Sequence, residues 1–283
     1  MAEFIALIAA ALFGLGTVLQ QRGTLQTSAG AAQASFYVQI LRRPVWLAGV
    51  LVTVVGGLLQ MVALSRGPLV QIQPIFTLSL VFALPFGAWL TDQRVGRREV
   101  GGAVLVVAGL AVFLTVANPG GGTTSPSSLR WAAAIIATAV VALVLALVSR
   151  HRAPSNVAAL LGSAAGACFG LEAGLAKEFT SYVSGGVEVI LGQWQTYGLI
   201  LFALAGGALQ QAALKTGVLP PAMSAINVAN VIASIVVGLA VYQETVAATG
   251  GHGGVALAAL GLTCLGVMLL VRGPEAPSRA SSR

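Results

Sequence analysis

Apolar runs of about twenty residues, separated by short polar segments, recur nine times along this chain. A helix needs about 20 such residues to cross the hydrocarbon core of a bilayer. The runs fall at 3–21, 45–65, 69–91, 99–117, 130–149, 155–178, 193–214, 219–242 and 254–272. Two connections are longer than the others. Residues 22–44 are amphiphilic and end in Arg42-Arg43-Pro44, and residues 118–129 read as a Gly/Pro/Ser linker. After Arg272 the polar tail 273–283 is expected to be disordered. The pattern predicts an all-α membrane protein with about nine transmembrane helices.

Inside this pattern lies a duplication. Gly56 to Gly67 reads GGLLQMVALSRG and Gly206 to Gly217 reads GGALQQAALKTG, with seven of twelve positions identical. ALFGLGTVLQQ from Ala11 likewise matches ACFGLEAGLAK from Ala167. Each repeat then holds four spans, in residues 1–117 and 150–272, and the linker and fifth span, 118–149, join them. Four is an even number, so direct fusion would leave the repeats parallel. The fifth span reverses the second repeat and makes the two inverted. Duplicated halves in a membrane protein point to a transporter with its path between them.

Composition and charge refine this picture. The chain is 57% hydrophobic and 8% charged, where a soluble domain carries about 25% charged residues. The net charge of +7 sits beside the apolar spans, so it reads as topology and not as a nucleic-acid surface. Met1-Ala2-Glu3 lacks a basic leader, so the first run is expected to be a retained span. With the N-terminus outside, twelve basic residues fall inside: Arg22, Arg42, Arg43, Arg94, Arg97, Arg98, Arg150, Arg152, Lys215, Arg272, Arg279 and Arg283. Three fall outside: Arg66, Arg130 and Lys177. The bias predicts a multi-pass protein of the cell (plasma or inner) membrane, N-terminus outside and C-terminus cytoplasmic. The partners expected are the lipid bilayer and a small-molecule or ion substrate, with no nucleic acid; a homodimer is left open.

Polar residues inside the runs are the candidates for chemistry. Glu172 is the carboxylate set well inside a span, where a charge costs roughly 2.5–3.5 kcal/mol on insertion scales. It reads as a proton or cation acceptor coupling transport, or as a carboxylate reaching outward to pair with Lys177. Ser224, Asn227, Asn230 and Ser234 share one face of span eight. Span three carries Gln71, Gln73, Pro74 and Thr77, and Pro74 removes a backbone donor. Asn227, Asn230, Ser224, Gln73 and Gln71 are candidate substrate ligands, or else they join helices by hydrogen bonds. Gln60 and Gln210 hold equivalent repeat positions and either line the path or clamp spans together. Gly162, Gly166, Gly170 and Gly174 form a ridge at four-residue spacing, for close packing or for sliding. Trp46, Trp89, Trp131 and Trp194 lie near span ends and read as interfacial anchors.

No catalytic, metal or cofactor set is expected. Cys168 and Cys264 lie in apolar spans as small core residues, and His151 and His252 fall in connecting segments. No GxxxxGK[ST] loop is present, so uphill transport would draw on an ion gradient or another subunit. An enzyme lacks its converging side chains, and a non-transporting scaffold or sensor would not need the polar stripe of span eight.

The set of motifs resembles the drug/metabolite transporter superfamily with its EamA-like repeat. The residues that carry the resemblance are Ala63-Leu64 to Gly67 and Ala213-Leu214 to Gly217, Pro74, the acidic pair Asp92 and Glu244, and Gly102, Gly109, Gly254 and Gly261. The extra fifth span and GLEAGLAK at Gly170 to Lys177 are similar to the branch that includes NIPA-type magnesium transporters. The resemblance implies a secondary transporter of metabolites, amino acids or drugs working by alternating access, or a magnesium carrier. Against magnesium stands the near-isolation of Glu172, since that ion is usually held by one or two carboxylates with several waters.

Overall fold

A computed structural model of the chain describes residues 1–25, 43–91, 95–117, 119–216, 218–246 and 253–271. Asp92, Gly217, His252 and the tail 273–283 lie outside the described residues. The described residues hold nine helical spans long and apolar enough to cross a membrane, and the chain is a multi-pass membrane protein.

Each predicted run folds as helix because an apolar backbone out of water must satisfy its own hydrogen bonds. In chain order the helices are α1 (Ala2–Leu25), α2 (Pro44–Arg66), α3 (Leu69–Phe76), α4 (Leu78–Thr91), α5 (Arg97–Ala117), α6 (Ser128–Ser149), α7 (Pro154–Thr180), the short α8 (Gly186–Gly192), α9 (Trp194–Leu214), α10 (Leu219–Ala240) and α11 (Gly253–Val271). Proline opens α2 and α7 and sits in the first turn of α10, where its missing N–H costs nothing. The third span is two helices. Pro74 has no N–H for the carbonyl of Val70, and Thr77 turns its own N–H (3.1 Å) and Oγ1 (2.6 Å) onto the Pro74 carbonyl.

Packing follows the small residues. α1 lies on α2 and α4, α7 lies on α9 and α10, α5 lies on α11, and α3 meets α10. The α7 glycine ridge faces α10. A Cβ at Gly162, Gly166 or Gly170 would run into Ala222, Ala229 or Ala233, so the two backbones touch. Gly102 on α5 meets Gly266 on α11 in the same way. A Cβ at the predicted counterparts Gly254 and Gly261 would meet nothing within 4 Å, so Gly266 takes the packing role that the repeat assigned to them. α6 packs chiefly on α7 and leaves most of its apolar surface outward.

Two expectations change. The connection 118–129 is not only a linker. Pro119–Gly121 (β1) pairs antiparallel with Glu244–Val246 (β2), a two-stranded ribbon in an otherwise helical protein. Trp131 is not an interfacial anchor but a core residue, 1% exposed, with its ring edge-on to Trp194 and Tyr242. The main apolar core lies toward the end of the bundle that carries the N-terminus. Leu64, Leu69, Leu171, Leu175, Trp131 and Tyr242 are among its members. The opposite end holds only the small cluster Ala158, Ala213 and Ala222.

Candidate functional site

A cavity of about 760 Å³ opens where α1–α4 meet α7, α9 and α10. Six of the predicted site residues line it: Gln60, Gln73, Glu172, Gln210, Asn227 and Asn230. They come from five helices and share little but their phase. Glu172 is an example. It lies two residues from Gly170, about 200° round α7, so packing the glycine ridge on α10 turns the carboxylate to the cavity. No described residue hydrogen-bonds to Glu172 or pairs with its charge.

Three of the lining donors are used within their own helices. Asn227 Nδ2 donates to the Met223 carbonyl (2.8 Å), Thr17 Oγ1 to the Phe13 carbonyl (2.8 Å) and Thr77 Oγ1 to the Pro74 carbonyl (2.6 Å). These groups therefore offer lone pairs to the cavity. Gln60, Gln210 and Asn230 also bring amide donors to the lining, and Gln73 is the buried case. It is 2% exposed, and its buried Nε2 has no partner among the described residues. The apolar wall includes Phe13, Phe76 and Phe169, and the rings of Phe13 and Phe76 meet edge-on at 5.0 Å.

Three predicted residues lie elsewhere. Gln71 donates to Glu3 Oε1 (2.9 Å) at the N-terminal end of the bundle. Ser224 is buried without a partner for its Oγ. Lys177 does not pair with Glu172. Five residues on, it is about 140° round the helix and 7.5 Å further along the axis. Its Nζ donates to Glu244 Oε1 (2.6 Å) and to the Gly67 carbonyl (3.0 Å).

Glu244 ties three parts of the chain together. Its side chain is fully buried, and its two oxygens accept the Leu69 N–H (2.6 Å) and the Val70 N–H (2.7 Å). It thus caps the N-terminus of α3, where the helix dipole favours an anion. Lys177 balances its charge and lies over the Tyr242 ring at 4.7 Å. Tyr242 donates from its hydroxyl to the Gly174 carbonyl (2.8 Å) and reaches Glu178 Oε2 (3.3 Å). Tyr182 also donates to Glu178 (3.0 Å). Burial, with the neighbouring Glu178, pushes the Tyr182 phenol up to about 12, and burial raises Tyr242 further.

The sequence reading missed Tyr242, Glu178 and Tyr182. Tyr242 and Glu244 lie two apart just past a span, and a polar pair there was a signal the reading left unused. Glu178, beside Lys177, is the other polar signal there. Among the described residues, no group of three or more His, Cys, Asp or Glu side chains is placed to hold a metal ion.

No family model matches the chain, and no solved structure matches it. An uncharacterized protein of Corynebacterium glutamicum is 30% identical over 246 residues, which cover 86% of this chain and 85% of that protein. A likeness of that extent covers most of both chains, and the chain belongs to the same family as that corynebacterial protein.

Proposed function

We propose that this protein is a secondary transporter that carries small molecules across the cell membrane by alternating access. Its two inverted four-span repeats are residues 1–117 and 150–272, and α6 is the helix that reverses the second. The observation that carries the proposal is the cavity. It lies at the seam of the two repeats and gathers polar side chains from both around an unpaired carboxylate. Carboxylates at membrane depth mark substrate or ion pathways.

The packing pattern supports the repeat. α1 with α2 and α4 has its counterpart in α7 with α9 and α10, while α5–α11 and α3–α10 are pairs of matched elements. The symmetry is broken at the carboxylate. In the alignment that sets Ala11 against Ala167, Glu172 stands opposite Gly16, which packs on Gly49 and Thr53 of α2. In this reading Lys177, Glu244 and the large core close the N-terminal end, and movement of one repeat against the other opens it. The distribution of basic residues supports reading that end as the outer one.

The test uses proteoliposomes holding the purified chain. They are loaded with a mixture of amino acids, amines, sugars and nucleosides, and the outside medium is sampled by mass spectrometry. Loss of at least one class faster than from protein-free liposomes is expected, and slower loss in N227A/N230A. Retention of every class at the protein-free rate overturns the proposal.

A further inference from the structure

The cavity's charge is one-sided, and this bears on what it takes up. Among the described residues, its only ionisable lining residue is Glu172. No described Lys, Arg or His lines it, and the nearest cation along α7, Lys177, is held by Glu244. The hydroxyls of Thr17 and Thr77 spend their hydrogens on their own helices and present acceptors, and the side-chain carbonyls of Gln60, Gln210 and Asn227 add acceptor oxygens beside their amide donors. Phe13, Phe76 and Phe169 add π faces, which attract a cation electrostatically. An anionic ligand would meet a carboxylate and no cation. A dication would leave one charge uncompensated in a desolvated space.

We infer that the cavity binds an organic monocation, an ammonium compound with an apolar or aromatic body, whose charge pairs with Glu172. This rests on the transporter reading and names its substrate class. Two or three N–H donors of the ammonium group match the carboxylate and the acceptor oxygens around it, and the body lies against the phenylalanine wall. Gln73 Nε2, buried and unpartnered, adds one donor. It suits a ligand with a hydroxyl or ether oxygen near the amine. The volume of about 760 Å³ lies in the range of small-molecule sites, about 300–1,000 Å³.

The experiment is a thermal-shift series on the purified full chain at pH 7. The probes share one body and differ in charge: phenethylamine, 2-phenylethanol and phenylacetate, with magnesium chloride as a fourth. A ligand that binds the folded state raises its apparent stability by mass action. Phenethylamine is expected to raise the unfolding midpoint, and the alcohol and the acid are not. In E172Q the affinity for phenethylamine is expected to fall by about tenfold or more, the size of a lost charged hydrogen bond. An equal shift from the alcohol or the acid overturns the inference. So does an amine shift unchanged in E172Q, or a shift with magnesium and none with the amine. If E172Q does not fold, the charge series on the natural chain still decides. Flux is measured separately in proteoliposomes. Amine binding without amine flux overturns the transporter reading and leaves the ligand class standing. Flux of another class without amine binding does the reverse.

Discussion

Removing the charge of Lys177 would leave Glu244 buried against two backbone amides without a counter-ion. Breaking a buried pair by deleting one partner costs about 3–5 kcal/mol. K177M and E244A should therefore each lower the thermal midpoint, and E244Q less than E244A, because its amide oxygen still caps one α3 N–H. Equal losses in E244A and E244Q would show that the cap contributes nothing. The phenols beside the pair give a pH prediction. A Tyr in the unfolded chain ionises near 10.0, while Tyr182 folded holds its proton to about 12 and Tyr242 longer. Stability tied to these phenols is complete below pH 10 and is lost as pH rises from there through the folded values. The fall in midpoint between pH 10 and 12 should be smaller in Y182F/Y242F. The cavity polars were readable one by one, because a Gln, Asn or Glu in an apolar run must meet a partner or a cavity. Gln71 was misleading only in company. It is two residues from Gln73, so the two could not face the same space.

At the scale of elements, the glycine ridge was legible as packing and the ribbon was not. Four-residue spacing of glycines states a helix contact directly, and α10 supplies it. A Cβ at Gly166 would stand 2.8 Å from the Asn230 backbone nitrogen. G166V should destabilise by about 1–3 kcal/mol through overpacking and also shift Asn230, seen as a lower midpoint and weaker ligand binding together. A lowered midpoint with unchanged binding would separate the ridge from the site. The ribbon was hidden because its three-residue strands look like loop until the partner is known. Its tight point is Gly122, at φ +104, where a Cβ would lie 3.0 Å from Glu244 Cγ. L-residues are strained there by about 1–3 kcal/mol. G122V should lower the midpoint as a conservative change in an exposed linker would not. Pro74 was readable as a break, but the turn sits at Thr77, whose hydroxyl takes the carbonyl of the proline.

For the whole molecule, the count of spans and their limits were clear from the sequence, since hydrocarbon thickness sets their length. Orientation rests on the arginines alone. A membrane-impermeant thiol reagent should label Arg66→Cys on intact cells, in a chain whose Cys168 and Cys264 are replaced, and Arg150→Cys only after permeabilisation. The reverse labelling would invert the topology. What no local pattern could supply was the joining of distant parts at Glu244, whose bonds to Leu69 and Val70 span 175 and 174 residues. That distance has a consequence for biosynthesis. When α3 enters the membrane, the group that caps it has not yet been translated, and neither has Lys177. The amino-terminal half waits in the bilayer with an unsatisfied helix end until the eighth span arrives. A fragment ending at residue 149 should accordingly be degraded when expressed alone and rescued by co-expression of residues 150–283.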